Sequence, residues 1–93
     1  MKYRAFAAVY HFPEEQRTKT SMVLVVNSKG ELHDYMPGPL TIDEYEGRYS
    51  DKKAKFALRE CIEEKLRVKV GVEDIKLMRY EDLGKMLFKF QNK

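Results

Sequence analysis

The stretch "DKKAKFALRECIEEKLR" (51–67) decides how the rest of the chain is read. Ala54, Leu58, Cys61, Ile62 and Leu66 recur at the three-and-four spacing of an amphipathic helix, with Ala57 at the edge of the stripe. Ser50 stands where a hydroxyl can cap the first turn, and Asp51 follows where negative charge suits a helix N-terminus. A helix with one apolar stripe needs a surface to cover, and the flanking sequence supplies strands.

Upstream, "YRAFAAVYHF" (3–12) and "SMVLVV" (21–26) are apolar at successive positions, as in strands buried on both faces. "PEEQRTKT" (13–20) opens with proline and is polar, so it reads as a loop. Turn chemistry at "NSKG" (27–30) sends the chain back as a third strand, "ELHDYM" (31–36). "PGPLTIDEYEGRYS" (37–50), with two prolines and two glycines, reads as a long loop of the kind that carries function. Downstream, "VKVGV" (68–72) is irregular. "IKLMRY" (75–80), a turn at "EDLG" and "KMLFKF" (85–90) read as a closing hairpin, with Met86, Phe88 and Phe90 on one face and Lys85 and Lys89 on the other.

The expected order is therefore β-β-β-α-β-β. This is an α+β fold with a mixed or antiparallel sheet of about five strands and one long amphipathic helix, in one domain over residues 1–93. One helix covers one face of a sheet that is apolar on both. The other face then calls for a homodimer or a partner protein.

Composition narrows the class. With 43% hydrophobic residues the chain is globular, and a net charge of +3 tolerates phosphate-bearing ligands without the dense basic stripe of a nucleic-acid binder. A single cysteine, Cys61, excludes an internal disulfide and favours a reducing, cytoplasmic setting; its place on the helix stripe predicts a buried, inert thiol. The aliphatic run at 22–26 is too short to span a membrane, and the N-terminal apolar stretch lacks a cleavage signature. His11 and His33 are isolated strand residues, and no nucleophile elbow or phosphate-binding glycine loop is present.

The chemistry-bearing candidates lie in the helix and the loop before it. Glu60, Glu63 and Glu64, at i, i+3 and i+4, share one side of the helix. Such a cluster suits a hard cation such as Mg²⁺, which would bring substrate phosphates and an activated water. From spacing alone it more often marks a solvated face, here neutralised by Arg67. Tyr45, Arg48 and Tyr49 in the 37–50 loop, with Lys52 and Lys53 in the first helical turns, are the candidates for binding a partner.

"ALRECIEEKLRV" resembles the core of the Nudix box: Arg59, Glu60, Cys61, Glu63 and Glu64 match its Arg-Glu, apolar and Glu-Glu positions, and "YMPGP" (35–39) resembles its glycine-containing lead-in. The resemblance implies a mixed sheet between helices and Mg²⁺-dependent hydrolysis of a nucleoside diphosphate derivative. In that reading Glu60, Glu63 and Glu64 hold the metal, Glu63 and Glu64 serve catalysis, and Arg59 braces the loop. The chain departs from the pattern at Pro39, Leu66 and Arg67, where the family has glycine, glycine and an apolar residue. A shortened, degenerate Nudix-like scaffold is thus expected to act as a small non-catalytic regulator. It would need no cofactor and would contact a protein or nucleotide, like the compact inhibitors that viruses and mobile elements encode. The alternative is an active Mg²⁺-dependent pyrophosphohydrolase.

Overall fold

The computed structural model describes residues 2–92. Strands β1 (Arg4–Phe12), β2 (Arg17–Val26) and β3 (Leu32–Glu44) are followed by helix α1 (Asp51–Leu66), a 3-10 turn (Val72–Asp74), strand β4 (Ile75–Leu77) and helix α2 (Tyr80–Gln91). The four strands form a mixed sheet in the order β3-β2-β1-β4. β1 runs antiparallel to β2, and β2 to β3, whereas β4 lies parallel to β1 through Ala5↔Ile75, Phe6↔Lys76 and Ala7↔Leu77. The fold is α+β as expected, with four strands and two helices among the described residues in place of about five strands and one helix.

Helix α1 forms where the sequence places it. Ser50 is its N-cap, with extended backbone and a side chain that accepts from the Lys53 amide at 3.4 Å, and Arg67 closes it in the left-handed region at φ 58°. Ala54, Leu58 and Ile62 are fully buried, and Leu58 and Ile62 share one core with Ala5, Ala7, Val23, Val25 and Met36, joined by Val68, Val70 and Ile75. The turn before β3 works through the Asn27 side chain, which accepts from the Lys29 and Glu31 amides, and through Gly30 at φ 78°.

Three expectations are corrected. First, β2 begins at Arg17, so residues 17–20 are strand and not loop. Thr18 and Thr20 are buried there, and the Thr20 hydroxyl donates to the Ala8 carbonyl at 3.1 Å, which lets a polar, β-branched residue sit inside a sheet. Second, β3 continues through Pro37-Gly38-Pro39 to Glu44, so the long loop shrinks to residues 45–50. β3 is the outer strand beside β2, and prolines are tolerated on such an edge. Gly38 is required by packing: a Cβ there would collide with the Ser21 carbonyl on β2.

Third, the closing hairpin is helix α2. Leu83, Met86, Leu87 and Phe90 follow at i, i+3, i+4 and i+7 and pack on Ala8, Leu24, Phe6 and Met22, while Phe88 remains 66% exposed. β1 therefore sends Ala5 and Ala7 to α1 and Phe6 and Ala8 to α2, and each apolar face has its own helix. This removes the argument for a homodimer or partner protein over a bare second face, because α2 occupies it. Among the described residues no helix is long and apolar enough to cross a membrane.

Candidate functional site

The parallel pairing of β4 with β1 is short. It ends where the Met78 amide donates to the Ala7 carbonyl at 2.9 Å; the chain then turns at Arg79 into α2. β1 continues for five more residues, 8–12, with β2 on one side and, among the described residues, no strand on the other. A cavity of about 530 Å³ opens beside this edge. Ala8 and Val9 form its floor. Tyr49 and Asp51 approach from the start of α1, and Arg79, Tyr80 and Glu81 from the start of α2, with Tyr10 at the mouth. A second cavity of about 340 Å³ shares Tyr10 and Tyr80 with the first and extends over Met22, Tyr35, Pro37 and Leu87. The two make one crevice rimmed by Tyr10, Tyr35 and Tyr80, which are 42%, 52% and 52% exposed.

An aromatic cluster fixes one wall. Tyr45 is buried, and its hydroxyl hydrogen-bonds the His11 ring at Nδ1 (2.5 Å). The Tyr49 ring lies 4.3 Å from His11, and its hydroxyl donates to Asp51 Oδ1 at 2.5 Å. Burial raises the Tyr45 phenol above its ordinary value, with Asp43 adding to it. Tyr49 is raised further, by burial first and then by the hydrogen bond to the Asp51 carboxylate, which favours the protonated phenol. The opposite wall carries Arg79, whose Nε donates to Asp82 Oδ2 at 3.1 Å and whose terminal nitrogen lies 3.8 Å from Glu81. That hydrogen bond raises the guanidinium and lowers the Asp82 carboxyl from its usual range, so Arg79 stays charged and paired.

The predicted binding residues divide. Tyr49 lines the crevice, and Tyr45 supports it from behind through His11. Arg48, Lys52 and Lys53 are exposed and do not line it. Tyr10, Arg79, Tyr80 and Glu81 were not anticipated. Their signal is three segments that a parallel strand pair brings to one end of the sheet, and strand pairing is not written in any one of them.

The glutamates lie elsewhere. Glu60 and Glu63 line a cleft of about 460 Å³ with Arg59, Lys69, Val70 and Gly71, and Glu64 is not among its lining residues. All three carboxylates are exposed. Among the described residues no group of three or more His, Cys, Asp or Glu side chains is placed to hold a metal ion. Arg59 stacks over Phe56 at 5.0 Å. The expected Glu63–Arg67 ion pair is replaced by a backbone bond, the Arg67 amide donating to the Glu63 carbonyl at 3.1 Å, because Arg67 has left the helix. The 35–39 segment that resembled a catalytic lead-in is paired to β2 through Leu24↔Tyr35, Val23↔Met36 and Met22↔Pro37. Cys61 is half-buried with its sulfur 3.9 Å from Met36 Sδ; burial pushes its thiol up, Lys65 opposes that and Glu64 adds to it. No protein-family model, curated protein or solved structure matches the chain.

Proposed function

We propose that this chain is a small non-catalytic binding module on a Nudix-like scaffold, and that its contact surface is the tyrosine-rimmed crevice at the ends of β1 and β4. The observation that carries this reading is the shared rim: Tyr10 and Tyr80 border both cavities, with Tyr35, Tyr49 and Arg79 beside them. Tyrosine and arginine dominate protein recognition, since each buries a large area at modest entropic cost and keeps a polar tip for hydrogen bonding. The crevice favours a protein over a nucleotide. Its one guanidinium is already paired with Glu81 and Asp82, and Asp51 adds a further negative charge, so polyphosphate would meet repulsion. A compact regulator or inhibitor has the size and surface of such a module.

A test uses the chain as bait against lysate, beside a Tyr10→Ala/Tyr80→Ala variant. Both tyrosines are about half exposed, so the variant keeps its fold by circular dichroism. The expected result is a saturable, stoichiometric partner held by the parent chain and lost from the variant. Equal retention by both would move the contact surface away from the crevice.

A second reading, Mg²⁺-dependent hydrolysis of a nucleoside diphosphate derivative, draws support from the cleft that gathers Arg59, Glu60, Glu63 and Lys69 on one side of α1. In that reading Glu60 and Glu63 of the cleft, with Glu64 from outside its lining, would hold the metal, which would supply an activated water.

A further inference from the structure

We infer that the unpaired edge of β1 at residues 8–12 receives an extended, basic segment of a partner protein as an added strand. This rests on the reading of the crevice as a protein-binding surface and names the kind of partner it takes.

The geometry begins with β4, which has three residues against the nine of β1. Past the Met78–Ala7 bond, the position beside β1 that a longer β4 would fill is the cavity floored by Ala8 and Val9. A strand edge of this kind presents main-chain donors and acceptors to whatever extended chain arrives. Five residues of strand span about 16 Å, enough for a short ladder. Side chains of an added strand would alternate between the Tyr49 and Asp51 wall and the Arg79, Tyr80 and Glu81 wall. The opposite edge of the sheet is blunted by Pro37 and Pro39 on β3, which cannot donate.

Charge selects the occupant. Asp51 and Glu81 line the slot, and Arg79, the cation among its lining residues, is paired with Glu81 and with Asp82, the next residue along α2. Lys19, opposite Tyr10 on β2, is paired with Glu15. The slot is locally acidic although the chain carries a net +3, so it attracts a basic segment while the molecule as a whole does not. A second copy is disfavoured on the same ground, because two-fold pairing of β1 edges would bring two acidic rims together.

The probe is a synthetic peptide alternating lysine with valine and threonine. Three controls accompany it: a counterpart with glutamate for lysine, and two copies N-methylated at odd or at even positions. Amide hydrogen exchange is read by NMR across residues 8–12. The expected result is saturable binding that slows exchange of the outward-facing amides there by about tenfold, as for amides newly held in a ladder. One N-methylated register retains binding and the other loses it, and the glutamate peptide fails. Asp51→Asn and Glu81→Gln each weaken the lysine peptide by about fivefold, the scale of one rim ion pair. The inference is overturned if exchange at 8–12 is unchanged, if both N-methylated registers bind equally, or if the same amides are protected in a dimer without peptide. Loss of a captured partner from Tyr10→Ala/Tyr80→Ala alongside unchanged exchange would refute strand addition and leave the crevice as the binding surface; an unaffected partner would remove both.

Discussion

The Met78 amide and the Ala7 carbonyl, 2.9 Å apart, mark the point where two parallel strands part company. Behind that bond the sheet is closed on both faces by helices. Ahead of it β1 keeps β2 on one side and leaves its β4-side edge open, and the first residues of both helices gather around that edge. The location of the crevice follows from where β4 stops, and its chemistry from what begins the two helices.

The strongest test of the fold lies in α2. Leu83 is fully buried between the helix and the sheet, so Leu83→Ala should cost about 2–5 kcal/mol in a urea melt. Phe88→Ala, at a position two-thirds exposed, should fall within about 0.5 kcal/mol of the parent. A C-terminal hairpin would instead make Phe88 the costly loss, since its side chain would share a face with Met86 and Phe90.

That contrast shows what could be read from residues alone. Helix α1 was legible because Ser50, Asp51 and an unbroken stripe all point the same way. The cores of β1 and β2 were legible from their two-sided apolar runs. α2 was missed because 85–90 fits both periods: Met86, Phe88 and Phe90 alternate, while Leu83, Met86, Leu87 and Phe90 wind. Glu81 and Asp82, acids in the first turn, were the signal for a helix start. β3 was cut short by its prolines, whose tolerance depends on lying at a sheet edge, a tertiary fact. Of the crevice, Tyr49 was legible as a loop aromatic; Tyr10, Arg79 and Tyr80 became neighbours through strand pairing.

The tyrosine wall predicts an alkaline signature. Tyr45 and Tyr49 carry raised phenol values, so their neutral forms are favoured by the fold. That stabilisation is fully present below the unfolded phenol range near 10 and is lost as pH rises through the folded values. Ultraviolet titration should show two phenols ionising late, and Tyr45→Phe and Tyr49→Phe should each remove part of the late phase. Late ionisation that persists in the double variant would contradict the assignment.

Cys61 should be a poor nucleophile. Its half-buried thiol is pushed above the ordinary cysteine value, so alkylation at neutral pH should run well below the rate of the urea-unfolded chain. Equal rates in both states would place the thiol in solvent.

The exposed glutamates should matter little to stability. Glu63→Gln removes a charge with no side-chain partner among the described ion pairs, so the change should be within about 0.5 kcal/mol by chemical melt. A gain of about 1 kcal/mol or more would reveal a like-charge cluster held together under strain, as function would require.

Binding without catalysis is decided by titrating Mg²⁺ and then Mn²⁺ into the protein while NMR follows Glu60, Glu63 and Glu64 and a nucleoside diphosphate derivative is assayed in the same tube. These carboxylates are exposed, only Glu60 and Glu63 share a cleft, and among the described residues no group of three is placed to hold a metal ion. A non-catalytic module gives weak, non-saturating shifts and no product above the metal-only blank. Saturable shifts confined to the three glutamates, with product that disappears in Glu63→Gln, would contradict it and establish the hydrolase.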